Sequence, residues 1–126
     1  DQWQISAFEH NILCASLDEK FDALYSLDVF EHISANSQDV FIKNIINSIN
    51  DKGIVILGMP SIESQRYASP QSKDGHINCK SGKELKLLMD KYFDNVFLFS
   101  MNDEVVHTGY EKMAHYLFVL CCGVKK

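Results

Sequence analysis

The sequence predicts an α/β domain whose sheet is mostly parallel and ends in an antiparallel strand pair. Apolar residues alternate between strand and helix periods along the chain, which is typical of βαβ construction. The run at 54–59 is continuous, rich in β-branched residues and closed by Pro60, which predicts a buried strand. A polar connection at 102–112 without a helical period favours an antiparallel arrangement of the last two strands.

The first half of the chain predicts two strands and a helix before the 54–59 strand. Apolar and polar residues alternate over 3–8, which predicts a short strand beginning at Trp3. The run at 21–27 lacks full alternation and predicts a second strand, with helices expected to cover both of its faces. Isoleucine and phenylalanine recur at helical spacing over 36–50, with Asn36 or Ser37 as the cap and Gly53 near the end.

The second half predicts a long loop, a helix and two strands. Residues 61–80 are polar and irregular, and a loop of this length is either functional or mobile. Ser81 and Glu84 have the spacing of a capping box, which predicts a helix from there to about Tyr92. Strands are predicted at 96–101 and 115–122.

Composition indicates one globular domain, because 126 residues with 46% apolar content can bury a sizeable core. No apolar run approaches the ~18 residues that cross a bilayer, and the first residues lack the basic start of a signal peptide. We therefore expect a soluble, cytoplasmic protein. The cysteines Cys14, Cys79, Cys121 and Cys122 have no zinc-type spacing, so we expect reduced thiols.

Net charge argues against broad contact with nucleic acid. The formal charge is −5 and the pI is about 5.4, whereas binding along a phosphate backbone requires a basic face. Basic residues do collect between 65 and 86, which is more typical of a solvated surface.

Titratable groups cluster where the 21–27 strand ends. Asp28, Glu31 and His32 follow that strand directly, and ligands of open α/β sheets bind beyond the carboxyl ends of strands. Spacing alone leaves two alternatives for these residues: a ligand site, or simple capping of the next helix.

A wider segment adds a resemblance. The segment Phe-Asp-Ala-Leu-Tyr-Ser-Leu-Asp-Val-Phe-Glu-His-Ile at 21–33 resembles the fourth strand and following turn of class I S-adenosylmethionine-dependent methyltransferases. The residues that fit this form are Phe21, Asp22, Ser26, Val29, Glu31, His32 and Ile33. The resemblance implies the Rossmann-like methyltransferase fold, with residues 1–126 as one partial domain that forms its second, C-terminal portion.

The resemblance also implies a function and cofactor contacts. We expect methyl transfer from S-adenosylmethionine, with this chain supplying the acceptor-side half for a small-molecule or other acceptor. Asn11 stands where the family commonly has the acid that meets adenine, and Ile12, Leu27 and Asp28 complete the implied cofactor contacts. An ordinary turn role for Asn11 stays open.

The family's Gly-x-Gly cofactor loop is absent from this sequence. We therefore expect the chain alone to be inactive and to bind cofactor weakly or not at all. The alternative is a non-catalytic α/β interaction module that retains half of the methyltransferase fold.

The long loop carries a second resemblance. Pro-Ser-Ile-Glu-Ser at 60–64 and Gly-His-Ile-Asn at 75–78 resemble the loop over the acceptor pocket in methyltransferases of the ubiquinone-biosynthesis and small-RNA 2′-O-methylation types. This similarity implies that Glu31, His32 and His76 are the catalytic residues, as bases or acceptor-orienting groups. We expect no metal. A divalent ion held by Asp28, Glu31, His32 and His76 is the open alternative, as is a loop-anchoring role for His76.

Two further expectations concern surfaces. In the family the 21–27 strand pairs with a strand that is missing here, so residues 21–28 would form an open edge and a homodimer contact. The polar stretch at 100–109 either closes over the acceptor site with His107 or is a solvated hairpin. His10 and His115 are expected to be structural.

Overall fold

Five strands form one mixed sheet in the computed structural model, which describes residues 4–126. The described strands and helices, in chain order, are β1 (Phe21–Leu27), α1 (Gln38–Asn47), β2 (Ile49–Pro60), α2 (Pro70–Gly75), α3 (Gly82–Met89), β3 (Phe93–Asn102), β4 (Val105–His107) and β5 (Tyr116–Val124). Short 3₁₀ helices lie at Phe30–His32, Glu63–Tyr67 and Glu111–Met113.

The sheet order is β1-β2-β5-β3-β4, and only the β1–β2 pair among these described strands is parallel. The prediction of a mostly parallel sheet is therefore wrong. The two helical crossovers do leave β1, β2 and β3 pointing the same way. However, β5 returns antiparallel and inserts between β2 and β3, so it converts what would be a parallel contact into two antiparallel ones. The predicted antiparallel pairing of the last two long strands is confirmed.

Helices cover one face of this sheet. Buried side chains of α1 and α3 join one core cluster with alternate residues of the central strands, among them Val55 and Leu57 of β2 and Leu117 and Val119 of β5. Ile54 of β2 and Phe97 of β3 face the other way and remain 38% and 52% exposed. The expectation that helices cover both faces of the 21–27 strand is wrong within residues 4–126, because every residue of β1 is exposed or half-buried. The predicted buried strand at 54–59 lies in β2 and does contribute to the core.

Element bounds follow local chemistry. The predicted capping box begins α3: Ser81 Oγ accepts from Glu84 N, and Glu84 Oε2 accepts from Ser81 N at 2.9 Å. That helix ends at Met89, earlier than predicted, because the backbone turns there and β3 begins at Phe93. The 61–80 loop contains the short helix α2, whose six residues are too few to show a helical period.

The predicted strand at 3–8 is wrong for residues 4–8, which run as exposed irregular chain; Trp3 lies outside the described residues. Ile5 is 92% exposed, so the alternation in this segment has no neighbouring strand or core to pack against.

Among residues 4–126, every helix falls short of the length and hydropathy that spanning a bilayer requires.

Candidate functional site

The candidate site lies beyond the carboxyl ends of β1 and β2. Asp28 follows β1 with a left-handed backbone, φ 55°, and its N–H lies 3.2 Å from both the carbonyl oxygen of Gly58 and the hydroxyl of Tyr116. Gly58 allows this approach, because a Cβ there would lie 2.6 Å from Leu27 and 2.9 Å from Tyr116. The chain then turns through Phe30–His32 and points Glu31 inward.

Glu31 is a buried carboxyl group at the centre of the site. Its side chain is 1% exposed, and its Oε1 lies 3.8 Å from His32 Nε2. Its other oxygen, Oε2, has no hydrogen-bond partner within residues 4–126. Burial raises the pKa of Glu31, Asp28 adds to that rise, and His32 and His76 oppose it.

Each of the two histidines is held in place by a hydrogen bond from its own Nδ1. His32 Nδ1 donates to the carbonyl oxygen of Gly75 at 2.8 Å, and His76 Nδ1 donates to Gln65 Oε1 at 2.8 Å. The rings lie edge to face with centroids 5.1 Å apart. A proton on each Nδ1 leaves each neutral ring a lone pair on Nε2, which can accept a proton or bind a cation.

The structure brings the three predicted catalytic residues together. One ligating atom from each of Glu31, His32 and His76 lies within 4.8 Å of the others. Asp28, the fourth member of the predicted metal set, lies outside this cluster, and its backbone N–H lies 3.2 Å from the Tyr116 hydroxyl. Burial and the nearby Asp28 carboxylate raise the pKa of Tyr116.

Loop contacts bring His76 to the turn that bears Glu31. Asn78 N donates to the Glu31 carbonyl oxygen at 2.9 Å, and His76 N donates to Ser72 O at the end of α2. Gln65, the partner of His76, is itself tied to the Ser61 carbonyl at 3.2 Å. His76 therefore makes the contact that a loop-anchoring role requires and also reaches the cluster.

The four predicted cofactor residues lie on two separate elements. Asn11 Oδ1 accepts from Leu13 N within a local turn, and the Ile12 carbonyl accepts from Asn44 of α1. His10, next to Asn11, lines a cavity with Phe21 at the amino end of β1. Leu27 and Asp28 are at the other end of this strand, about 20 Å away at ~3.3 Å per residue.

Sequence reasoning missed three residues that shape the site: Gln65, Asn78 and Tyr116. Each acts through a partner distant in sequence, so no local pattern could identify its role. His115, predicted to be structural, lines a cavity of about 270 Å³ beside His76, together with Pro60, Tyr67 and Tyr116. His107 lies instead on the exposed β3–β4 hairpin, the arrangement of the solvated alternative.

Comparison with solved structures identifies the fold. One similar structure is titled "DhpI-SAH complex structure": TM-score 0.64, 12% identity, covering 94% of this chain and 55% of that one. Another is the N-methyltransferase NodS from Bradyrhizobium japonicum WM9 in complex with S-adenosyl-L-homocysteine, with TM-score 0.60, 13% identity and coverage of 90% and 52%. A third is the methyltransferase domain of bacterial CtHen1-C, with TM-score 0.66, 17% identity and coverage of 89% and 58%.

These neighbours establish a class I methyltransferase-like fold, related to that of the small-RNA methyltransferase structures. No protein-family model matches the sequence, and no curated protein does so either. The chain spans a little over half the length of the structures described above.

Proposed function

We propose that this chain, with its class I methyltransferase fold, supplies the acceptor side of methyl transfer from S-adenosylmethionine to a hydroxyl-bearing small molecule. One observation carries the proposal: Glu31, His32 and His76 converge beyond the carboxyl ends of a parallel strand pair. Ligands of open α/β sheets bind at that edge, and a methyltransferase acceptor needs a group that removes its proton.

S-adenosylmethionine, when bound, supplies an already activated methyl group. Of the residues implied for it, Leu27 and Asp28 lie at the carboxyl end of β1, beside the candidate site. Asn11 and Ile12 lie near the other end of that strand, about 20 Å away, so they stay outside the proposed cofactor contacts. With no Gly-x-Gly in its sequence, the chain alone should bind the cofactor weakly.

The chain's own contribution is to hold and deprotonate the acceptor. His76 lines the cavity of about 270 Å³, so its Nε2 lone pair is the candidate base for a hydroxyl in that cavity. Gln65 holds the opposite ring nitrogen and fixes the ring's orientation. Glu31 and His32 lie beside this ring, where a carboxylate stabilises the imidazolium that forms as the proton is taken.

A divalent cation at the same cluster is a second candidate, favoured by the buried Glu31 oxygen without a partner. Two ligands of a tetrahedral ion are about 3.4 Å apart at bond lengths near 2.1 Å, close to the 3.8 Å between Glu31 and His32. Backbone and amide oxygens already orient both rings, as they do for metal-bound imidazoles. Glu31, His32 and His76 would hold the ion, which would acidify an acceptor hydroxyl.

Removing His76 tests the acceptor-side role. We expect His76→Ala to lower methyl transfer by the full-length gene product by roughly 100-fold, the usual contribution of a positioned base. His107→Ala, on the exposed hairpin, is the matched control and should retain full activity. Transfer of radiolabel from S-adenosylmethionine to a panel of hydroxylated acceptors measures both, and equal activities of the two variants would contradict the assignment.

Chelation separates the two versions of the site. If imidazole alone is the base, treating the full-length gene product with a chelator leaves methyl transfer unchanged. If a cation is required, activity disappears and returns on addition of Mn²⁺. We expect methyl transfer by the wild-type protein to survive the chelator. Loss of activity that Mn²⁺ restores would show instead that the three residues hold a metal ion.

We propose that the partner of this chain is a second copy of itself, bound through β1. β1 pairs only with β2 among the described strands, and Tyr25 on it is 75% exposed; unpaired apolar edges recruit further strands. We expect sedimentation velocity to detect a dimer that Tyr25→Lys weakens and that Tyr110→Lys, at an equally exposed tyrosine far from β1 in sequence, leaves intact. A monomeric wild-type chain at high concentration would exclude this contact.

A further inference from the structure

His115 shares the cavity of about 270 Å³ that His76 lines. It stands one residue before β5, and its backbone is tied to the residue that follows β2. Ser61 N donates to the His115 carbonyl oxygen at 3.0 Å, and Ser61 Oγ donates to the Ala114 carbonyl oxygen at 2.6 Å. Ser61 itself is fully buried, so these bonds hold His115 at a fixed place on the cavity wall.

One side-chain oxygen determines which nitrogen of the His115 ring carries the proton. Asn102 Oδ1, at the end of β3, accepts from the backbone N–H of His115 at 3.1 Å, and this donor identifies the atom as the amide oxygen rather than the amide nitrogen. The same oxygen lies 3.3 Å from His115 Nδ1. Because an amide oxygen only accepts, the neutral ring places its proton on Nδ1 and keeps a lone pair on Nε2.

The Nε2 edge of the His115 ring is the edge that faces the cavity. Asn102 is outside the set of described residues that line this cavity, so the ring edge held by Asn102 is turned away from it. His76 has the same arrangement, with Gln65 on its Nδ1. The cavity therefore meets two imidazoles with a proton-accepting Nε2, whereas removing the proton of one hydroxyl requires only one of them.

We propose that His115 is an acceptor-binding residue, whose Nε2 accepts a hydrogen bond from a second donor group of the acceptor molecule, and that Asn102 is its positioning residue. The inference rests on the proposed function, because it gives the two imidazoles different tasks. His76 takes the proton of the hydroxyl to be methylated, and His115 holds another part of the same molecule. The cavity should therefore favour acceptors that carry a further hydroxyl or amino group.

Small aromatic probes measure this preference without cofactor. Tyr67 and Tyr116 line the cavity and suit flat rings. The ¹⁵N-labelled chain is titrated with phenol, which has one hydroxyl, and with catechol, resorcinol and hydroquinone, whose second hydroxyl stands at three different separations from the first. We expect the best of these three to bind about tenfold more tightly than phenol, as one added hydrogen bond allows, with the largest amide shifts at 64–68 and 115–116.

Affinities for all three that are no higher than the affinity for phenol would overturn the proposal. Because the titration needs neither cofactor nor methyl transfer, its result is separate from the success or failure of the proposed methyltransferase function.

Matched variants locate the preference. His115→Phe keeps a flat ring but has no Nε2, so it should bind phenol as the wild type does and lose the tenfold preference. His115→Gln should keep most of the preference, because its amide oxygen accepts. His10→Phe, at an exposed histidine of the N-terminal segment, should change neither affinity. A preference that survives in His115→Phe would assign the second donor to another residue and contradict the proposal.

The ring nitrogens of His115 test the role of Asn102. Two-dimensional ¹H–¹⁵N spectra of the histidine rings, recorded in alkaline buffer where imidazoles are neutral, distinguish the two tautomers. We expect the His115 proton on Nδ1 in the wild type and mainly on Nε2 in Asn102→Ala, which should also bind the preferred probe more weakly. His10, whose Nε2 donates to the Ala15 carbonyl oxygen at 2.9 Å, should keep its proton on Nε2 in both proteins. A His115 tautomer that is the same in both would refute the positioning role of Asn102.

Discussion

Glu31→Gln is expected to abolish most methyl transfer by the full-length gene product while making the fold relatively more stable as pH rises. The glutamine side chain has nearly the same size but cannot become a carboxylate beside His32 and His76. We expect a loss of roughly 100-fold in activity, within the range for a group that assists proton transfer. Opposite changes in activity and stability are typical of a residue kept for function rather than for packing.

The stability effect follows from the direction in which burial moves the Glu31 carboxyl. Its pKa is raised in the folded state, so its contribution to stability is complete below the unfolded value of 4.5 and is lost as pH rises through the folded value. Glutamine is neutral throughout and has no such loss. Urea unfolding at pH 5 and pH 8 should therefore show the variant gaining on wild type at the higher pH.

The control for this comparison is Glu19→Gln, at an exposed residue of the N-terminal segment, which should alter neither activity nor relative stability. A Glu31→Gln protein that loses stability at pH 8 in step with activity would show that the carboxylate supports the fold. That outcome would remove the reason for assigning it to the reaction.

Leu57→Ala is expected to have the largest effect on the fold itself. Leu57 is 1% exposed in β2, between β1 and β5, and belongs to the core under α1 and α3. Truncating a buried leucine removes its burial and leaves a cavity, which together cost about 2–5 kcal/mol. That is a large part of the ~5–15 kcal/mol that stabilises a domain of this kind.

An exposed leucine provides the matched comparison. Leu87 of α3 is 55% exposed, so Leu87→Ala should change the free energy of unfolding by no more than about 0.5 kcal/mol. Urea denaturation of both variants at one pH gives the two values. Similar losses of unfolding free energy in the two variants would mean that α3 buries the face that carries Leu87, which would contradict the described core.

Local signals predicted the elements better than their arrangement. β1 was predicted at its observed bounds, and the Ser81–Glu84 capping box begins α3 as expected, because both depend on neighbouring residues. The mixture of parallel and antiparallel contacts depends on the insertion of β5, where Ile56 pairs with Leu120. No periodicity encodes a pairing between such distant segments.

The residues of the candidate site were also predictable only in part. Glu31 and His32 are adjacent in sequence, and His76 stands in a motif of its own, so all three could be predicted as candidates. Gln65 and Tyr116 could not, because the first acts by orienting the His76 ring and the second by contacting Asp28 across the sheet. The sequence alone likewise did not show that Asp28 would turn away from the cluster.

Titration of S-adenosylhomocysteine into the full-length gene product, followed by ¹⁵N amide shifts, tests the proposed methyltransferase function most directly. We expect saturable binding, with shifts at Leu27 and Asp28 and at their contacts Gly58 and Tyr116. The chain of residues 1–126 alone should show the same shifts only at much higher ligand concentration. Absence of binding by the full-length product, or shifts confined to the uncovered sheet face around Tyr25 and Phe97, would contradict it.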